Sequence, residues 1–194
     1  MVEPRPTRVV NELPTLPFVR GRIDQLGIVV RDLEHSIAHY TTVFGLSEWL
    51  GYNFDDRLLG DRTYRGKPGR FEMRVAVAGK NPQVELIQPV RGPSIYDEYL
   101  QEHGDGLHHL AVFVRDLRAS VGELEARGFR VVQSGGSYRG CERGGFAYFD
   151  TTPELGITFE VLELPSPRLP HDFGGDRLPR DRTGGAEDGC SNRA

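Results

Sequence analysis

Apolar positions along this chain gather in short blocks, and the order of the blocks occurs twice. Residues 26–30 form a β-branched apolar run that reads as a strand, Asp32 is placed to cap a helix reaching to about residue 44, and Gly45 can end it. Three further strand candidates follow at 48–54, 71–78 and 83–90, with loop and turn chemistry in GDRTYRGKPG and GKNP. A second series begins in GLHHLAVFV, where residues 110–114 are strand-like. It continues with a helix from Asp116 to about residue 127 and strands at 130–133, 146–150 and 157–164. Each half reads strand, helix, strand, strand, strand. QLGIVVRDLEHSIAHYTTVFGL from Gln25 and HLAVFVRDLRASVGELEARGF from His109 share an apolar strand, the tetrapeptide Val-Arg-Asp-Leu, a helical segment and a closing glycine. Val30 aligns with Val114, and Gln25 with His109, at one constant offset.

The flanks carry no such pattern. Residues 1–21 read as an N-terminal extension with early prolines, and residues 165–194, rich in Pro, Gly, Arg and Asp, as a disordered C-terminal tail in which His171 and Asp172 are solvated. Between them lie a first module at 22–90, a linker with a short helix at 91–104, and a second module at 105–164. With 38% hydrophobic and 27% charged residues, 194 residues can bury a core and suit one domain or two small modules sharing a sheet. A net charge of -4 without a basic cluster argues against nucleic acid. No run approaches the about 20 apolar residues that cross a bilayer, and the N-terminus lacks the apolar segment of a signal peptide. The expected setting is cytoplasmic, away from membranes. Cys141 and Cys190 do not form a disulfide framework, and Cys141 reads as a structural thiol.

The repeat, the order of elements and the linker PVRGPSIYDEYLQEHGDGLHHLAVFVRDL together resemble the vicinal oxygen chelate superfamily. That superfamily includes glyoxalase I, methylmalonyl-CoA epimerase, extradiol dioxygenases and bleomycin-resistance proteins. The similarity spans about residues 22–164, and the linker is most similar to that of the epimerases. It implies an α+β fold of two tandem βαβββ modules, with eight strands in a curved mixed sheet around a cleft and helices outside. It allows the modules to pair within one chain or across a homodimer.

The resemblance also implies a metal site with one ligand from the first and one from the last strand of each module: Gln25, Glu85, His109 and Glu160. Glu85 in VELIQPV and Glu160 in TFEVLEL sit within apolar strands, where an unpaired carboxylate is costly to bury and a cation removes the cost. One imidazole, two carboxylates and an amide oxygen suit a divalent ion such as zinc, nickel, cobalt or manganese. Alternation along a strand places His108 on the opposite face from His109, and Glu163 off the face of Glu160. His35 and His39, one helical turn apart, read as a solvated pair.

A metal in this arrangement favours an isomerase, epimerase or lyase that removes a proton next to a chelated carbonyl of a small or acyl-thioester substrate. By resemblance to glyoxalase I, Glu160 is the catalytic base. Gln25 stands where typical epimerases and extradiol dioxygenases have histidine and where animal-type glyoxalase I has glutamine, which disfavours oxygenation and departs from the epimerase pattern. Glu72 is the one acid near the place where epimerases carry a second, and it is out of register. The competing class is a drug- or metabolite-sequestering protein of the same fold, whose members generally lack the four ligands. Trp49, Tyr52 and Tyr148 are expected to border the cleft, and Arg74, Arg139 and Arg143 are candidates for meeting an anionic group.

Overall fold

The computed structural model describes residues 16–174. Cys190, with most of the expected tail and the first part of the N-terminal extension, lies outside the described residues. The first module contains β1 (Gln25–Val29), α1 (Leu33–Phe44), β2 (Leu50–Phe54), β3 (Arg62–Tyr64), β4 (Lys67–Pro68), β5 (Glu72–Ala78) and β6 (Gln83–Arg91). The linker holds α2 (Ile95–His103). The second module contains β7 (Gly106–Val114), α3 (Leu117–Ala126), β8 (Val131–Gly136), β9 (Arg143–Phe149), α4 (Thr152–Leu155) and β10 (Thr158–Ser166), and β11 (Phe173–Gly174) follows.

The shared Val-Arg-Asp-Leu does the same work in both modules. Its valine closes β7 at Val114 and directly follows β1 at Val30, and its aspartate is an N-cap whose side chain accepts from the backbone two residues into the helix, Asp32 from His35 and Asp116 from Ala119, both at 2.9 Å. Its leucine begins the helix and turns inward, completely so at Leu33. Gly45 ends α1 at φ 67, a left-handed conformation that suits a residue without a side chain.

The strands form one curled mixed sheet, a half-barrel, in the order β11-β2-β5-β6-β1-β7-β10-β9-β8-β3-β4. Each module has a parallel pair, β1 with β6 and β7 with β10, and β1 pairs antiparallel with β7 to join the modules within one chain. The expected eight strands are present, but the sheet has eleven. One reason is that the stretch read as a loop folds into the β3–β4 hairpin, with Arg65 (φ 51) and Gly66 (φ 75) both left-handed in a two-residue turn. The other is that residues following β10 run back to pair β11 with β2, instead of leaving the fold.

Two apolar clusters cover the convex face. One lies under α1, with Ile28, Leu33, Ile37, Trp49 and Leu86, and the other under α3, with Leu124, Phe149 and Val161. The third fills the concave side and includes Val29, Met73, Val75, Ile87, Tyr138, Phe146 and Tyr148, with Ile95 and Tyr96 brought in by α2. No helix among the described residues is long and apolar enough to cross a membrane.

Candidate metal centre

Cross-strand register assembles the four residues that the resemblance implies. Gly27 stands opposite Glu85 on one side and His109 on the other. Ala111 stands between Gln25 and Glu160. Opposed residues share a face of a sheet, so the four side chains project from β6, β1, β7 and β10 to the concave side, in two rows that each have a very small residue at the middle. Gly27 is essential to the geometry: a Cβ there would lie 1.8 Å from the His109 ring.

All four are nearly sealed from solvent, with exposures of 2% for Gln25, 8% for Glu85, 0% for His109 and 1% for Glu160. His109 Nε2 is 3.0 Å from Glu160 Oε2 and 3.3 Å from Glu85 Oε2. Those separations are within ion-pair range, and His109 Nε2, Glu85 Oε2, Glu160 Oε2 and Gln25 Oε1 each lack a hydrogen-bond partner. A buried imidazole and two carboxylates this close need positive charge among them, either a proton on His109 or a cation in its place.

The other polar atoms of two of these side chains are engaged. Gln25 Nε2 donates to Gln83 Oε1 at 2.8 Å, fixing which end of the amide faces inward. His109 Nδ1 lies 3.0 Å from His108 Nδ1. Tyr96 donates its hydroxyl proton to the Tyr148 hydroxyl at 2.9 Å, and Tyr148 stands opposite Glu160 across the β9–β10 ladder. Ligand residues whose outward atoms are tied down and whose inward atoms are bare are the usual design of a metal site. Glu85, His109 and Glu160 form a possible site for a divalent ion, with ligand atoms all within 4.8 Å of one another.

Electrostatics follow from this burial. Desolvation pulls the His109 imidazole down, but the carboxylates of Glu160 and Glu85 outweigh it and raise its pKa to about 9. Glu160 is pushed up by burial, against the opposing pull of His109. Burial first, and then the charge of Glu160, hold Tyr148 and Tyr96 well above the ordinary phenol range, so both remain hydrogen-bond donors.

Two expectations about neighbours need correction. His108 does not face away from His109. The ladder steps from Gly27–His109 to Ile28–Leu107, so two residues advance on β7 for one on β1, and His108 is the extra residue of a β-bulge that turns both imidazoles to the same side. Trp49 does not border the cleft; it packs in the cluster under α1 and donates its indole proton to Thr41 Oγ1 at 3.0 Å. Tyr148 does lie against the site, its ring centroid 5.0 Å from that of His109, and Tyr52 opposes Val75 on the concave face.

The remaining candidates lie elsewhere. Arg74 pairs with Glu34 and covers the Phe173 ring on the convex side, and Arg143 is largely exposed, 3.8 Å from Glu163. Arg139 is exposed beside the buried Tyr138. Glu72 is bound to Arg91 at 2.6 Å. Glu163 accepts from the Leu117 amide at the start of α3. His35 and His39 are exposed, with ring centroids 4.0 Å apart. Sequence reasoning missed Gln83, Tyr96 and the bulge; only the polar character of Gln83 and Tyr96 within apolar surroundings gave any signal.

Comparison with known proteins bears on the fold and the family. An ethylmalonyl-CoA/methylmalonyl-CoA epimerase of Cereibacter sphaeroides is 27% identical over 116 residues, 59% of this chain and 77% of that relative. The crystal structure of methylmalonyl-CoA epimerase from Mycobacterium tuberculosis has the same fold, with a TM-score of 0.53 at 22% identity, covering 82% of this chain and 95% of that one. A hypothetical protein of Bacillus halodurans matches with a TM-score of 0.50 at 18% identity over 73% of this chain and 93% of its own. Residues 24–149 match the model of the glyoxalase/bleomycin resistance protein/dioxygenase superfamily, and the chain belongs to that superfamily.

Proposed function

We propose that the protein is a divalent-metal-dependent epimerase-type enzyme that removes the proton next to the carbonyl of an acyl thioester. The observation that carries this is the set of four buried side-chain atoms without a hydrogen-bond partner on Gln25, Glu85, His109 and Glu160. A divalent ion held there supplies Lewis acidity toward two neighbouring substrate oxygens.

The residues divide the remaining work. Gln25, Glu85, His109 and Glu160 would hold the centre, and the amide of Gln25 keeps its oxygen inward through Gln83. Glu160 serves as the base. Its Oε2 has no hydrogen-bond partner, and Tyr148, itself held by Tyr96, stands opposite Glu160 on β9. An apolar wall of Met73, Val75, Ile87 and Phe146 excludes water from the transferred proton. Glu72, tied to Arg91, is no second base, so among the acids considered proton removal rests on Glu160. The similarity to an ethylmalonyl-CoA/methylmalonyl-CoA epimerase supports a thioester with an acidic α-hydrogen.

The test has two stages. Protein purified without a nickel column is analysed for metal, then assayed for exchange of the α-hydrogen of methylmalonyl-CoA with deuterated solvent. Metal-loaded protein should exchange, and Glu160→Gln saturated with metal should still bind the thioester but exchange at least ~100-fold more slowly, the usual contribution of a positioned base. Tight thioester binding without exchange in the metal-loaded wild type would favour sequestration. Wild-type exchange in Glu160→Gln would place the base elsewhere.

A further inference from the structure

The β7 bulge sets a second histidine against the first, and nothing described above uses it. We propose that His108 is a positioning residue for the metal centre: its Nδ1 accepts the Nδ1 proton of His109 and thereby keeps the His109 Nε2 lone pair turned toward Glu85 and Glu160. The inference rests on the reading of Glu85, His109 and Glu160 as ligands.

The argument begins with hydrogen-bond inventory. A neutral imidazole carries one proton on two nitrogens, and whichever nitrogen is protonated is lost as a ligand. With the His109 proton on Nε2, an N–H would point among the carboxylates and fill the place of an ion. With the proton on Nδ1, it needs an acceptor on that side, and His108 Nδ1 stands there at 3.0 Å. His108 then carries its own proton on Nε2, so both rings are neutral and the pair is satisfied.

Three features make the contact a built one. Strand alternation would carry His108 to the convex side, and only the extra residue between the pairs Gly27–His109 and Ile28–Leu107 brings it back. Its ring is held edge-on by three tyrosines, with centroids 5.6 Å from Tyr96, 5.1 Å from Tyr99 and 6.0 Å from Tyr148. At 5% exposure, water does not compete for the bond. The bulge belongs in the same account, since it sets the second ring beside the first.

Two substitutions separate acceptance from packing. Asparagine places Oδ1 close to the position of histidine Nδ1 and can accept the same proton; leucine fills space and cannot. Titration with cobalt(II) should show His108→Leu binding about 10- to 100-fold more weakly than wild type, with an altered visible absorption band. His108→Asn should restore most of the affinity and the wild-type band. In zinc-loaded wild type, the His109 Nδ1 proton should give a slowly exchanging, strongly downfield resonance that His108→Asn retains. Wild-type cobalt affinity and spectrum in His108→Leu would overturn the proposal, as would equal weakening in both variants, which would assign the ring to packing. Absence of that resonance in zinc-loaded wild type would overturn it without any variant. Failure of wild type to bind cobalt would instead remove the metal reading, and this inference with it.

Discussion

Gly27 carries no side chain at the one place where a methyl group would meet a proposed ligand. A Cβ would fall 1.8 Å from the ring of His109, whose space is otherwise closed because it is fully buried. Gly27→Ala should therefore displace the imidazole. The expected result is a stability loss of about 1–3 kcal/mol from overpacking, with zinc affinity reduced about 10-fold or more; wild-type zinc affinity by calorimetry would refute it. The same ring gives the site a pH dependence. In the metal-free protein its pKa is raised from 6.5 to about 9, so the stability it contributes is complete below about pH 6.5 and is lost as pH rises through about 9. Glu160, also shifted upward, acts in the same direction. Metal-free protein should thus melt at progressively lower temperature between pH 6.5 and 9, while the gain in Tm on adding zinc grows, because fewer protons must be displaced. Thermal scans with and without zinc across that range check the sign, and a zinc-induced gain that shrinks with pH would contradict it. Gln25, Glu85, His109 and Glu160 were picked out in the sequence through the resemblance to the superfamily, whose ligand positions fall on these polar residues of apolar strands. Gln83 and Tyr96 were not, since their meaning depends on the atom each touches.

At the scale of elements, legibility followed periodicity. Both long helices announced themselves through Val-Arg-Asp-Leu, where strand end, cap and first buried leucine fall within four residues. The eight main strands were visible as apolar or alternating runs. The β3–β4 hairpin was not, because Arg62, Tyr64 and Lys67 have no apolar alternation; Arg62 is buried only through its bond to the Phe71 carbonyl and its pairing with Asp56. The Arg65–Gly66 turn was its one local signal. The bulge in β7 left even less trace. Alternation is a rule for an unbroken ladder, and a single extra residue reverses every assignment beyond it until the register recovers. His108 therefore looked like a convex residue although it stands beside His109. This makes the histidine doublet the point at which local pattern and tertiary pairing diverge, and such points often mark function.

Across the whole molecule, each edge of the sheet is covered by a segment from the other module. The β3–β4 hairpin of the first module extends β8 of the second, and β11, following the second module, extends β2 of the first. Such an exchange hides edge hydrogen-bonding groups and ties the two halves across the concave side. The returning segment does more than pair. Leu169 packs against the concave cluster, Asp172 accepts from the Asn53 backbone and side-chain amides at 2.7 and 3.1 Å, and Phe173 occupies the space left by Gly51. Because the ligands beneath are almost completely enclosed, a segment touching that same cluster is a natural place for the enclosure to loosen. Phe173→Ala should weaken the hold of this segment, and since the ring is only half-buried, the cost should be below the ~3–5 kcal/mol of a fully buried phenylalanine. The informative measurement is the rate at which a chelator removes zinc. If the segment closes the site, the rate should rise several-fold in Phe173→Ala and further in the double variant with Asp172→Ala, under conditions where both remain folded. An unchanged rate despite the lowered Tm would mean that the route to Glu160 opens elsewhere and that β11 serves only to cover the edge of the sheet.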